Sequence, residues 1–203
     1  LVGSEMCIRD RATNGAPLPT RLSFNVTDEA LIVENDGVFR PLDFQRLQSI
    51  ASGGKRDERD TTGAFGLGFI AVYQVTDAPQ IFSNNLHWTI DPAAPPEQRI
   101  EERQAQTTGT RFVLPWAFDE TSAVRRALRI AAIDRQTLDA IARELAAAIV
   151  PGAIFLRQLT HLDVRRNGLP VGQLHRHMVD ERLVLTSADD QSSTYLIFKG
   201  DFD

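Results

Sequence analysis

Cysteine is almost missing from this chain: Cys7 is the only one in 203 residues. No internal disulfide can form, and a cysteine-ligated zinc site is excluded. A reducing, cytoplasmic compartment is the expectation. Long apolar runs are missing too, so nothing in the sequence reads as a membrane span. The opening "LVGSEMCIRDRATNG" has no continuous apolar stretch of leader length and no periodicity, and residues 1–20 are expected to be a non-native or disordered leader. Basic charge is in deficit, with 22 Lys and Arg against 27 Asp and Glu and a formal net charge of -5. No basic stripe stands out, so neither a nucleic-acid surface nor a membrane surface is indicated. There is no internal repeat and no low-complexity tract.

What the chain does have is an ordinary globular composition, 42% hydrophobic and 24% charged, enough for one sizeable core and part of another. "RLSFNVT" at 21–27 alternates, and "ALIVEN" at 30–35 is rich in β-formers; Asp28 and Glu29 between them suit a tight hairpin. "NDG" at 35–37 is turn chemistry. "PLDFQRLQSIASGG" predicts a short helix capped by Asp43, with Phe44, Leu47, Ile50 and Ala51 on one face and Gly53 at its end. "QIFS" and "LHWTI" flank Asn84-Asn85, a hairpin signal. Residues 91–108 read as a surface excursion, and "GTRFVLPW" as a returning strand. Thr121 to Val150 is helical in pattern, with Asp134 as the cap of a second segment, a stripe of Leu138, Ile141, Leu145 and Ile149, and a stop at Pro151. Strand-like runs follow in "IFLRQLTHLDVRR", "ERLVLTS" and "TYLIFK". The expected division is a main domain over 21–150 and the truncated start of a following α/β segment over 151–203.

The stretch that most invites a chemical reading is "TTGAFGLGF" at 61–69. Two familiar phosphate motifs are excluded. "GGKR" at 53–56 lacks the Ser or Thr that a P-loop places after its lysine. "GAFGLGF" has the spacing GxxGxG and follows a polar loop rather than a strand, against the dinucleotide fingerprint. What is left is a glycine-rich loop feeding the N-terminus of an expected helix at 69–76, whose free amides and positive dipole end suit an anion. Trp88 and Trp116 read as core. His175 and His177 in "HRH" lack a third metal ligand and read as an exposed basic cluster.

Three stretches in order sharpen this: "VENDGVF", then "GAFGLGFIAVYQVTDAPQIFS", then "TGTRFVLP". Their order resembles the Bergerat ATP-binding fold shared by gyrase, the ninety-kilodalton chaperones, histidine kinases and MutL. Within that superfamily the chain resembles the nucleotide-binding repeats of sacsin and sacsin-like proteins. The residues carrying this are Asn35, Asp36 and Phe39, then Gly63, Phe65, Gly66, Gly68 and Phe69. Val72, Tyr73, Thr76, Asp77, Pro79, Ile81 and Ser83 follow, and then Asp91-Pro92.

The resemblance implies an α/β two-layer sandwich, a mixed β-sheet with helices on one face, and ATP as ligand. It implies that Asp36 accepts from the exocyclic amine of adenine, with Asn35 as rival or helper because the superfamily more often has the acid one place earlier, and with Gly37 in the same turn. It implies that Gly63, Phe65, Gly66, Leu67, Gly68 and Phe69 line the phosphates. Residues 52–62 would form a nucleotide lid from which Lys55 and Arg56 reach a phosphate, and Thr110 would place its hydroxyl near the adenine. Mg2+ is expected in the full-length protein, held by a helix carrying Glu and Asn; residues 1–20 show no match to that helix, so no catalytic or metal residue is assigned and the fragment is expected not to hydrolyse ATP. The function implied is that of the ATP-binding module of a larger sacsin-like, chaperone-type ATPase acting as a lid switch, with client proteins or other domains of the same chain as possible partners. A degenerate scaffold without nucleotide, or a histidine-kinase-like or MutL-like ATPase domain, is the alternative.

Overall fold

The computed structural model describes residues 19–51, 69, 71–156, 158–180 and 182–196. Two strands open it, β1 (Arg21–Val26) and β2 (Ala30–Asn35), joined by the expected hairpin. Helix α1 (Pro41–Ala51) follows, then a single 3-10 turn at Ala71–Gln74. Next come β3 (Gln80–Ser83), β4 (Leu86–Ile90), β5 (Ile100–Gln104) and β6 (Thr110–Pro115). Helices α2 (Ala123–Leu128) and α3 (Leu138–Ala153) lead to β7 (His161–Arg166), β8 (Leu169–Val179), β9 (Arg182–Ser187) and β10 (Ser192–Leu196).

Among the described residues all these strands form one sheet, in the order β10-β9-β8-β7-β1-β2-β6-β3-β4-β5. The sheet is mixed: β1 and β7 are parallel, and every other pair is antiparallel. Its register carries one apolar row across the strands: Val164 pairs with Phe24, Phe24 with Val33, Val33 with Phe112, and Phe112 with Ile81, which faces Trp88. Because side chains alternate between faces with period two, this register puts the apolar set on one side of the sheet. Helix α3 covers that side over β7, β8 and β1. Leu138, Ala142, Ile149 and Ala153 are its buried residues, spaced four, seven and four apart as one helical stripe requires. A second cluster of Phe39, Phe44, Leu47, Phe69, Ile81, Trp88 and Ile90 holds α1, with Phe44 and Trp88 ring centroids 4.8 Å apart.

Several expectations are corrected. Asp43 does not sit ahead of α1. It lies in the first turn, and its carboxylate accepts from the Arg40 amide at 2.8 Å, the reach-back half of a capping box. The helix expected over 69–76 is, in the described residues, Phe69 in helical conformation and the one turn at Ala71–Gln74. The carbonyls that would propagate it are drawn off by Arg125, described below. The helical pattern over 121–150 divides into two helices, broken where Arg129 takes a left-handed conformation (φ 55°). Asp134 caps the Arg135–Thr137 turn that leads into α3, its Oδ1 accepting from the Gln136 amide at 2.9 Å. Pro151 does not stop α3, which runs on to Ala153. Proline there forfeits one amide, while the extra turn buries Ala153 fully and offers its carbonyl to Arg176 Nε at 3.1 Å.

Residues 151–203 were expected to begin a separate segment. In the structure β7 fills the free edge of β1 and brings β8, β9 and β10 into the same sheet. Leu162, Val164, Leu174, Leu183 and Leu185 join the core of Leu22, Phe24 and Val33. Among the described residues no helix is long and apolar enough to cross a membrane.

Candidate functional site

The "NDG" turn leaves β2 at the end of the sheet where β6 and β3 lie beside it. Asn35 pairs with Thr110, and Thr110 with Ser83, so three polar side chains stand in one row across β2, β6 and β3. Ser83 and Thr110 are almost wholly buried, at 0% and 1% exposure. Buried hydroxyls must be paired, and the geometry allows one arrangement of protons that uses every short contact. Thr110 Oγ donates to the Gly37 carbonyl at 2.7 Å. A hydroxyl has one proton, so the 2.7 Å contact between the two hydroxyls is donated by Ser83. Ser83 Oγ in turn accepts from the Phe39 amide at 2.8 Å. The chain Phe39 N–H to Ser83 to Thr110 to Gly37 O ties the turn to two strands.

Gly109 makes the fit possible. Its φ is +88°, and a Cβ there would lie 2.4 Å from the Asn35 carbonyl oxygen. Only glycine accepts both that backbone and that approach. Asn35 closes the turn by accepting from the Gly37 amide through Oδ1 at 2.9 Å, an Asx turn.

Asp36 is exposed, and its carboxylate is already in use. Oδ1 accepts from the Thr20 amide at 2.7 Å and the Arg21 amide at 3.1 Å, and Oδ2 accepts from the Thr20 hydroxyl at 2.7 Å. Partial burial pushes the carboxyl up, but these bonds outweigh it and hold the group below its ordinary value. A carboxylate has about four acceptor positions, so roughly one is left on Oδ2.

Of the residues the sequence singled out, Asn35, Asp36, Gly37 and Thr110 are brought together. Phe69 lies in the neighbouring aromatic cluster, its ring centroid 6.3 Å from that of Tyr73. Lys55, Gly63, Phe65, Gly66, Leu67 and Gly68, with the rest of the loop 52–68, lie outside the described residues. Sequence reasoning missed Thr20, which it assigned to the leader, and gave Ser83 and Gly109 no role. "TGT" could have flagged Gly109 as a backbone-approach glycine, but nothing local marks Ser83 or Thr20. No group of three or more His, Cys, Asp or Glu among the described residues is placed to hold a metal ion. His175 does meet another histidine, His161, edge to face with ring centroids 4.5 Å apart.

The fold and this turn define a mixed α/β domain built on one large sheet, with a polar turn pinned at a strand end. The Sacsin domain family matches residues 18–126, more than half of the chain, and the chain belongs to that family. Human sacsin is 44% identical over 63 residues, which is 31% of this chain and 1% of sacsin. Protein NO VEIN of Arabidopsis thaliana is 25% identical over 179 residues, 82% of this chain and 6% of that protein. The chain thus spans only a small part of the length of these relatives. Among solved structures, an Aquifex aeolicus MutL ATPase domain complexed with ADP is similar at a TM-score of 0.46 and 9% identity, over 90% of this chain and 73% of that one. The ATPase region of Saccharomyces cerevisiae topoisomerase II gives 0.43 and 9%, over 90% and 54%.

Proposed function

We propose that this chain is the ATP-binding module of a larger sacsin-like, chaperone-type protein, in which nucleotide orders the 52–62 lid. The observation that carries the reading is the pinned Asn35–Gly37 turn, which sits inside the family match and holds a carboxylate at a strand end. Asp36 Oδ2 has acceptor capacity for an exocyclic amine while Thr20 stays in place. Asn35 is the alternative acceptor, through the second lone pair of the Oδ1 that already accepts from the Gly37 amide. Thr110 then acts through Gly37, because its single proton is committed to that carbonyl. Gly63, Phe65, Gly66, Leu67, Gly68 and Phe69 are proposed to surround the phosphates, with Lys55 reaching them from the lid. Mg2+ would accompany ATP, and no described residue is assigned to it. The compartment proposed is the cytoplasm, with other domains of the same protein or client proteins as partners.

A scaffold without nucleotide is the second reading, and one observation favours it: three of the Asp36 acceptor positions are filled from within the chain. Magnesium-dependent ATP binding separates the two. Binding by the natural chain that weakens at least tenfold in Asp36→Ala and Gly66→Val supports the module; equal affinity in all three sinks the site assignment.

A further inference from the structure

Arg125 is the largest fully buried side chain among the described residues, at 1% exposure. Sequence reasoning gave it no role, and it also left Thr76-Asp77 of the "VYQVTDAP" stretch without one. The structure joins the two. Helix α2, capped by Ser122 through the Arg125 amide, projects the guanidinium into the end of the turn that follows Phe69. Nε donates to Asp77 Oδ1 at 2.7 Å. Nη1 donates to the carbonyls of Gln74 at 3.1 Å and Ala131 at 3.4 Å. Nη2 donates to the carbonyls of Tyr73 and, at 3.0 Å, Thr76.

A guanidinium has five N–H donors in a fixed plane, and here each has an acceptor. Three of those acceptors are consecutive or near-consecutive carbonyls that a 3-10 turn leaves unpaired at its C-terminal end. A cation at that end also complements the peptide dipoles. Neighbouring bonds complete the fastening. The amides of Val75 and Thr76 return to the Val72 carbonyl, and the Ala117 amide reaches the Val75 carbonyl at 2.9 Å.

We infer that Arg125 is a positioning residue that locks the 71–77 turn, and through it Phe69, in the place nucleotide binding requires. The binding half of this rests on the function proposed above; the lock itself does not. Lysine at this position keeps the charge and a long stem but loses the planar fork, so it cannot serve all five acceptors. Asparagine at 77 keeps an oxygen facing Nε.

The test uses the full 203-residue chain. Amide hydrogen exchange at Val75 and Thr76 is expected to rise at least tenfold in Arg125→Lys and less than threefold in Asp77→Asn, while β7 and β9 keep their natural rates. MgATP affinity is expected to follow the same order, at least tenfold weaker in Arg125→Lys and within threefold in Asp77→Asn. Unchanged exchange at Val75 and Thr76, or an equal rise throughout the sheet, overturns the lock. A local rise in exchange with natural MgATP affinity overturns the positioning role. Failure of the natural chain to bind MgATP refutes the proposed function instead, and exchange alone then decides the lock. Should Arg125→Lys not fold, Asp77→Ala, which removes the one carboxylate and leaves the carbonyl bonds, is judged by the same local rise.

Discussion

Replacing Thr110 by valine keeps the shape of the side chain and removes only its hydroxyl. In the structure that hydroxyl gives a 2.7 Å bond to the Gly37 carbonyl and receives one of 2.7 Å from Ser83. Each such bond contributes about 1 kcal/mol net, and stripping the donor from a buried carbonyl adds roughly another 1 kcal/mol or more. Ser83 recovers part of this by turning its proton to the Gly109 carbonyl, a longer contact at 3.3 Å. The expected cost is about 3 kcal/mol, which for a domain of this size lowers Tm by roughly 6–12 °C. Thr110→Ser keeps the hydroxyl and loses one methyl group, so it should cost about 1 kcal/mol. Urea unfolding at constant m-value measures both. A double-mutant cycle with Ser83→Ala then tests the relay, and two hydroxyls sharing one proton path should couple by about 1 kcal/mol. A valine variant no less stable than the serine variant, or strictly additive effects in the cycle, would refute the proton arrangement.

Two other outcomes follow from the same region. Gly109→Ala must accommodate a Cβ 2.4 Å from a backbone oxygen at φ +88°; the turn has to move, and a loss of several kcal/mol, about 3 or more, is expected in the same urea titration. Burial raises the Tyr73 phenol to about 12, Arg99 opposing and Asp91 adding to the shift. A raised phenol keeps its proton in the folded chain longer than in the unfolded one, so its contribution is intact below about pH 10 and is lost as pH climbs to about 12. The loss amounts to roughly 3 kcal/mol. Tyr73→Phe should flatten that alkaline limb, and an unchanged slope would mean the ring ionises freely.

Much of the architecture could be read along the chain because it rests on local rules. The β1–β2 hairpin, the Asn84-Asn85 turn, α1 and the stripe on α3 each follow from a periodicity or a turn residue that needs no partner to be recognised. Both asparagines do take positive φ, at 50° and 60°. Strands β5 and β8 were harder to see because most of their side chains are exposed; backbone pairing defines them, and apolar alternation does not. The family motif marked Asn35, Asp36, Gly37 and Thr110, and the structure brings these four together.

The amino-acid sequence by itself determined the hydrophobic periods, the turn chemistry and the family to which the chain belongs. Tertiary structure alone decided where the protons and charges go. Thr110 spends its hydroxyl on Gly37, Asp36 is held by Thr20, Arg125 gathers the carbonyls of a turn some fifty residues earlier, and β7 completes the edge of β1. The physical reason is common to all four. A buried polar group or an open strand edge has to be satisfied, and which distant group satisfies it is fixed only when the chain has closed on itself.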